Sequence, residues 1–99
     1  MGQKLSASDM ALYRAVDEVL HYVWDPIGVS DVPQARDEYH SYLPQVFGLL
    51  RAGADEHAIA SYLGNVSTER MGLNGNVEHD RRIARILLDW QALVREQHA

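Results

Sequence analysis

The chain has no cysteine among its 99 residues. That absence excludes a disulfide framework, thiolate chemistry and the Cys-based zinc and iron–sulfur sites. It fits a reducing compartment, and the expected setting is cytosolic. No apolar run approaches the length a bilayer span needs. Met1 to Ser8 holds one lysine and no long apolar stretch, so it does not read as a signal peptide. Glycine-rich phosphate loops, Gly-x-Ser-x-Gly and His-Glu-x-x-His are all missing. With them go the usual signatures of nucleotide binding, serine hydrolysis and zinc peptidase chemistry. No cofactor is expected, and the chain does not read as an enzyme.

Cations are scarce too. Nine Lys and Arg stand against 14 Asp and Glu, a net charge of −5. The balance is uneven. Residues 1–80 carry 12 acidic and 5 basic side chains, whereas residues 81–99 carry 2 acidic and 4 basic. An acidic body argues against nonspecific nucleic-acid binding, which needs cations on phosphates. It is compatible with a basic protein partner and with simple solubility.

What is present is helical periodicity over one domain's length, residues 1–99, with residues 1–7 expected to be flexible. The first helix is expected over about Ser8 to Trp24, with Ser6 and Asp9 resembling a capping box and Ser8 or Asp9 as alternative caps. Its apolar stripe is Leu12, Tyr13, Val16, Val19, Leu20 and Val23, with His21 on the other face. Proline is rare, and Pro26 ends this helix by pushing Asp25 out of the α region. Ser30 or Asp31 starts a second helix, with Pro33 in its first turn, that runs to about Arg51. Pro44 falls inside it, and the spacing predicts a kink near His40–Leu43 or a division into two helices. Asp55 caps a third helix through Ala58, Ile59, Tyr62, Leu63 and Val66. The stretch Met71-Gly72-Leu73 stops it. The fourth runs from about Val77 to Gln97 with the stripe Ile83, Ile86, Leu87, Trp90, Leu93 and Val94. Glu78–Arg82 and Arg85–Asp89 are i,i+4 pairs on its outer face. Nothing reads as a strand. The expected architecture is an all-α bundle of four main helices joined by short loops.

The densest cluster of special-geometry residues is Trp24-Asp25-Pro26-Ile27-Gly28, followed by Asp37-Glu38-Tyr39 and Tyr42. Together with Tyr62-Leu63 and Glu69-Arg70-Met71-Gly72-Leu73, it resembles a small bacterial family of unknown function, the YugE-like proteins. The resemblance covers roughly residues 12–73. It implies a compact helical fold and a bacterial cytosolic protein. It brings no activity, cofactor or catalytic residue.

Two groups are candidates for function. One is the corner formed by Trp24, Asp25, Pro26, Gly28, Asp37, Glu38 and Tyr39. Trp24 and Trp90 both sit on apolar stripes, where core packing is the first reading. The Asp25 carboxylate suits a local cap accepting N–H groups of the turn after Pro26. The second group is Arg81, Arg82 and Arg85, a charged face on the last helix. His21, Asp25, Asp37, Glu38 and His40 are ligand types for a divalent metal, but their spacing does not enforce convergence. A solvated acidic first turn explains Asp37 and Glu38 as well. The expected function is a non-enzymatic protein-interaction module with no nucleic-acid or membrane partner. The alternatives are an immunity or antitoxin protein masking a basic toxin, and a metal-dependent enzyme using the corner carboxylates.

Overall fold

The computed structural model describes residues 5–98. Four α-helices carry the fold: α1 (Ala7–Glu18), α2 (Leu43–Arg51), α3 (Glu56–Asn65) and α4 (Val77–Gln97). No strand occurs among the described residues. No helix among them is long and apolar enough to cross a membrane. Residues 1–4 of the segment expected to be flexible lie outside the described residues. Leu5 packs against the core and Ser6 caps α1, accepting the Asp9 N–H at 3.0 Å.

Asp55 caps α3 as expected, and Asn76, in a stretch expected only as a loop, caps α4. Asp55 accepts the Ala58 N–H at 2.9 Å and Asn76 accepts the His79 N–H at 3.0 Å. Each satisfies a donor that the first turn leaves orphaned. The helix anticipated from Ser30 or Asp31 to Arg51 is divided. Pro33–Ala35 forms one 3₁₀ turn, residues 36–42 form further turns, and α2 begins at Leu43. Pro44 therefore stands in the first turn of α2, where its missing N–H costs nothing. Arg36 fastens the irregular stretch to α1 by a two-pronged pair with Asp17, both bonds 2.9 Å.

Two helices end by widening into π turns. Val19–Trp24 continues α1, and Val66–Arg70 continues α3. In the first, the Asp25 N–H bonds the Leu20 carbonyl, five residues back. The i→i+5 pattern turns less per residue than the α pattern. It rotates the end of the helix so that Trp24 enters the core where Val23 would have stood. Trp24 is 2% exposed and Val23 43%. The same rotation carries His21 from the expected outer face into the interior.

The core gathers Leu12, Val16, Val19, Leu20 and Trp24 of the first helix with Tyr39, α2, α3 and α4. Phe47 joins it and meets Tyr13 edge-on, ring centroids 5.1 Å apart. On α4 the buried stripe is Asp80, Ile83, Ala84, Leu87, Gln91 and Val94. Two apolar residues expected inside are out: Trp90 is 40% exposed and Leu93 42%. Their place is taken by Gln91, whose side-chain N–H donates to the Leu50 carbonyl at 2.7 Å and ties α4 to the end of α2. Gly64 lies inside α3 with ordinary helical backbone. A glycine there costs about 1 kcal/mol relative to alanine.

Candidate functional site

The π turn delivers the chain to Asp25 in a left-handed conformation, φ 34° and ψ 61°. A non-glycine residue held there carries local strain, relieved for Asp and Asn by short-range hydrogen bonds. Asp25 makes four. Its Oδ1 accepts from the Gly28 N–H at 3.1 Å, the Val29 N–H at 2.8 Å and the Tyr39 hydroxyl at 2.7 Å. Its Oδ2 accepts from the Ser30 N–H at 3.0 Å. Pro26 opens the turn and Gly28 closes it at φ 80°, a value glycine adopts without steric cost. Tyr39 reaches in from the far side of the loop, and its oxygen also accepts the Ile27 N–H at 3.1 Å. Burial alone would push the Asp25 carboxyl up, but the bonds from Tyr39, Val29 and Ser30 outweigh it. The group is held below the usual carboxylate range. Burial first, and the donated bond to Asp25 second, push the Tyr39 hydroxyl well above its ordinary range.

Of the corner residues, Trp24, Asp25, Pro26, Gly28 and Tyr39 come together. Asp37 and Glu38 stay exposed on the turns before α2. His40 turns away to donate to Asp17 at 3.1 Å. The corner carboxylates and histidines do not converge, and no group of three or more metal-ligating side chains occurs among the described residues. The Asp25 oxygens are occupied by the loop they fold, which is broader than the cap expected of them.

Behind the corner lies a residue the sequence reading passed over. Asp80, in the first turn of α4, is only 4% exposed. Its Oδ1 accepts the indole N–H of Trp24 at 3.1 Å. Next to it His79 donates from Nε2 to the Trp24 carbonyl at 2.9 Å. The start of α4 thus grips both the ring and the backbone of the corner tryptophan. Burial raises the Asp80 carboxyl above its ordinary range, and the Trp24 bond and the nearby His79 only partly oppose this. The sequence signal was faint: Asp80 is one i,i+3 step before Ile83, on the buried stripe, but sits in an acidic first turn that reads as solvated.

Asp80 lines two clefts. One, about 410 Å³, is bounded by Trp24, Asp25, Pro26, Ser67 and His79. The other, about 460 Å³, is bounded by His57, Ala60, Ser61, Gly64, Asn65 and Thr68. The Asn74–Asn76 loop stands between them and lines both. Gly75 shapes that loop, with φ 81° and a position where a Cβ would come within 2.8 Å of the Thr68 methyl.

The charged face of α4 is arranged differently from the expected i,i+4 pairs. Arg85 reaches Glu56 of α3 at 2.8 Å, and Arg81 reaches the same carboxylate at 3.4 Å. The bonds from Arg85 lead in holding the Glu56 carboxyl below its ordinary range. Arg82 is exposed beside them, lining a surface depression with Glu78, Arg81 and Arg85. Successive steps of four, four and three along α4 place Arg82, Ile86, Trp90 and Leu93 on one outward strip. Ile86, Asp89, Trp90 and Leu93 line a shallow depression there of about 160 Å³.

Compared with known proteins, the chain matches no family pattern, no curated protein and no solved structure.

Proposed function

We propose that the protein is a non-enzymatic interaction module that binds an acidic amphipathic helix of a partner protein along the outer strip of α4. The observation that carries this reading is the exposure of Trp90 and Leu93 on that strip, beside the half-buried Ile86. Three large apolar side chains at helical spacing form the groove-and-ridge surface that a partner helix covers. Tryptophan is the residue type most enriched at the energetic centre of such interfaces. The partner's charge follows from the flank. Arg82 is the exposed cation of the strip; Asp89 lines the depression beside it, and Arg81 and Arg85 are held by Glu56. A carboxylate at the Arg82 end of the partner's apolar stripe complements that cation.

The reading takes the cell to be bacterial and the compartment cytosolic, on the resemblance of residues 12–73 to the YugE-like proteins. Masking of a basic toxin draws only on the acid balance of residues 1–80 and would use another face. A metal-dependent reaction at the corner would need Asp25, whose oxygens are already taken up.

The test is affinity capture from the native cell with the wild-type chain and with Trp90→Ala. The expected result is one protein lost with the variant, whose isolated acidic helical segment binds wild-type protein more weakly as salt rises. The reading is overturned if every captured protein binds both chains equally, or if the segment lost is basic.

A further inference from the structure

The Asp80 carboxylate has an open side. Its Oδ1 is engaged by Trp24, but among the described residues nothing donates a hydrogen bond to Oδ2. That oxygen faces α3 at Gly64, where an added Cβ would lie 3.4 Å from it. Gly64 has no backbone need to be glycine, since its conformation is ordinary helix. The missing side chain leaves a gap over Oδ2, and the gap opens into the cleft bounded by Gly64, Ser61, Asn65, Thr68 and Asn76. A carboxylate more than nine-tenths buried, whose second oxygen has no protein donor and meets solvent in a cleft of about 460 Å³, can take its donor from a ligand.

We propose that this cleft binds a small organic molecule through a primary ammonium group seated on Asp80 Oδ2. The chemistry of the donor is narrowed by the site. An inorganic divalent cation needs several oxygen or nitrogen ligands, and no group of three ligating side chains is present among the described residues. A guanidinium is best held by both oxygens of a carboxylate, and here Trp24 occupies one. An ammonium is a compact charge that needs one carboxylate oxygen and neutral acceptors for its other two or three protons. The Ser61 and Thr68 hydroxyls and the Asn65 amide line the same cleft and offer those acceptors, while Asn76 Oδ1 caps α4. Ala60 and Val77 supply an apolar patch for a short alkyl chain. His57 is the other titratable group of this lining, and His79 is the charge neighbour of Asp80 on α4.

The site is independent of the α4 strip, so its fate does not decide the reading above. The probe is 1,4-diaminobutane, titrated at constant ionic strength and followed by amide shifts in ¹⁵N-labelled protein. The comparison ligands are 1,4-butanediol and 4-aminobutylguanidine blocked at its amine. Saturable shifts are expected around residues 57–68 and 74–80 with the diamine and none with the diol. The guanidinium ligand should bind more weakly. Asp80→Asn keeps an acceptor for Trp24 and should weaken diamine binding by about tenfold or more. Gly64→Ala should also weaken it, while melting higher than wild type. That pairing separates occlusion of the site from damage to the fold. The proposal is overturned by an absence of saturable shifts, by equal binding to both variants, by tighter guanidinium binding, or by shifts spread over the whole acidic surface.

Discussion

The indole N–H of Trp24 donates to Asp80 Oδ1 at 3.1 Å across 56 positions of sequence. The bond closes the bundle end to end. It fastens the last residue of the π turn that extends α1 to the first turn of α4. A ring this buried contributes by area, and its one polar atom contributes by answering a buried carboxylate. The two effects can be separated. Trp24→Ala removes both and should cost about 3–5 kcal/mol, enough to unfold much of a domain whose total stability is about 5–15 kcal/mol. Trp24→Phe keeps most of the apolar contact but strands Asp80, at a cost of about 1–3 kcal/mol. Urea melts of the two variants should show that order. A Trp24→Phe protein as stable as wild type would mean that the bond contributes nothing.

Asp25 should matter more than a helix cap. An N-cap substitution typically costs about 0.5–2 kcal/mol. Asp25 accepts four hydrogen bonds and sits at positive φ, where alanine is strained. Asp25→Ala should exceed about 2 kcal/mol, because it also leaves the Tyr39 hydroxyl without its acceptor. Chemical denaturation decides it, and a loss inside the cap range would show that the turn holds itself.

The two corner carboxylates should give stability opposite pH slopes. The Asp25 group is lowered on folding, so its contribution is present above about 3.8 and is lost as pH falls through its folded value. The Asp80 group is raised, so the folded state holds the extra proton between 3.8 and its folded value. Stability therefore falls as pH rises through that second window. Asp80→Asn should flatten the decline above 3.8, and Asp25→Asn should flatten the loss below it. Melting temperature against pH for the three proteins is the measurement. Parallel curves would contradict both assignments.

His21 has a buried ring whose Nδ1 has no hydrogen-bond partner among the described residues. The ring lies edge-on to Tyr22, centroids 4.5 Å apart, and tilted against Tyr39 at 6.5 Å. A buried polar atom without a partner costs about 1–3 kcal/mol. Phenylalanine fits an aromatic neighbourhood of this kind without that atom. His21→Phe should raise the melting temperature, and a clear fall would reveal a partner for the ring.

The fold was legible wherever periodicity and end chemistry agree. α4 was readable from Val77 to Gln97 and Asp55 as a cap, because short-range spacing determines them, whereas Ser6 was one of three cap choices with Ser8 and Asp9. The π turn was not. Nothing local in Val19–Trp24 announces a wider helix, since its benefit is tertiary: it brings Trp24 to Asp80. Every misplaced residue there, Val23 and His21 included, follows from that one rotation. The corner was readable as a fixed structure because Asp-Pro and Gly restrict the backbone by themselves. Its partner was not, because a carboxylate in an acidic first turn looks the same whether it is solvated or buried. On α4, six apolar residues compete for a face that buries fewer, and only packing against α1 to α3 decides between Trp90 and Gln91.

That competition leaves the two tryptophans in opposite environments. Trp24 is 2% exposed and Trp90 40%. Trp90→Ala removes a ring that already meets solvent and makes no hydrogen bond among the described residues. Substitutions of that kind usually stay within about 1 kcal/mol of wild type, far below the loss expected at Trp24. Acrylamide should quench the emission of a Trp24→Phe protein, which reports Trp90 alone. It should quench a Trp90→Phe protein, which reports Trp24, much less. If Trp90 proves as protected as Trp24 in dilute protein, another surface already covers it. If the protection disappears on dilution, a second copy of the chain is the cover, and the acidic-helix reading of the strip fails. Strong quenching of Trp90 that does not change with concentration, together with a stable Trp90→Ala protein, leaves the strip open for its partner.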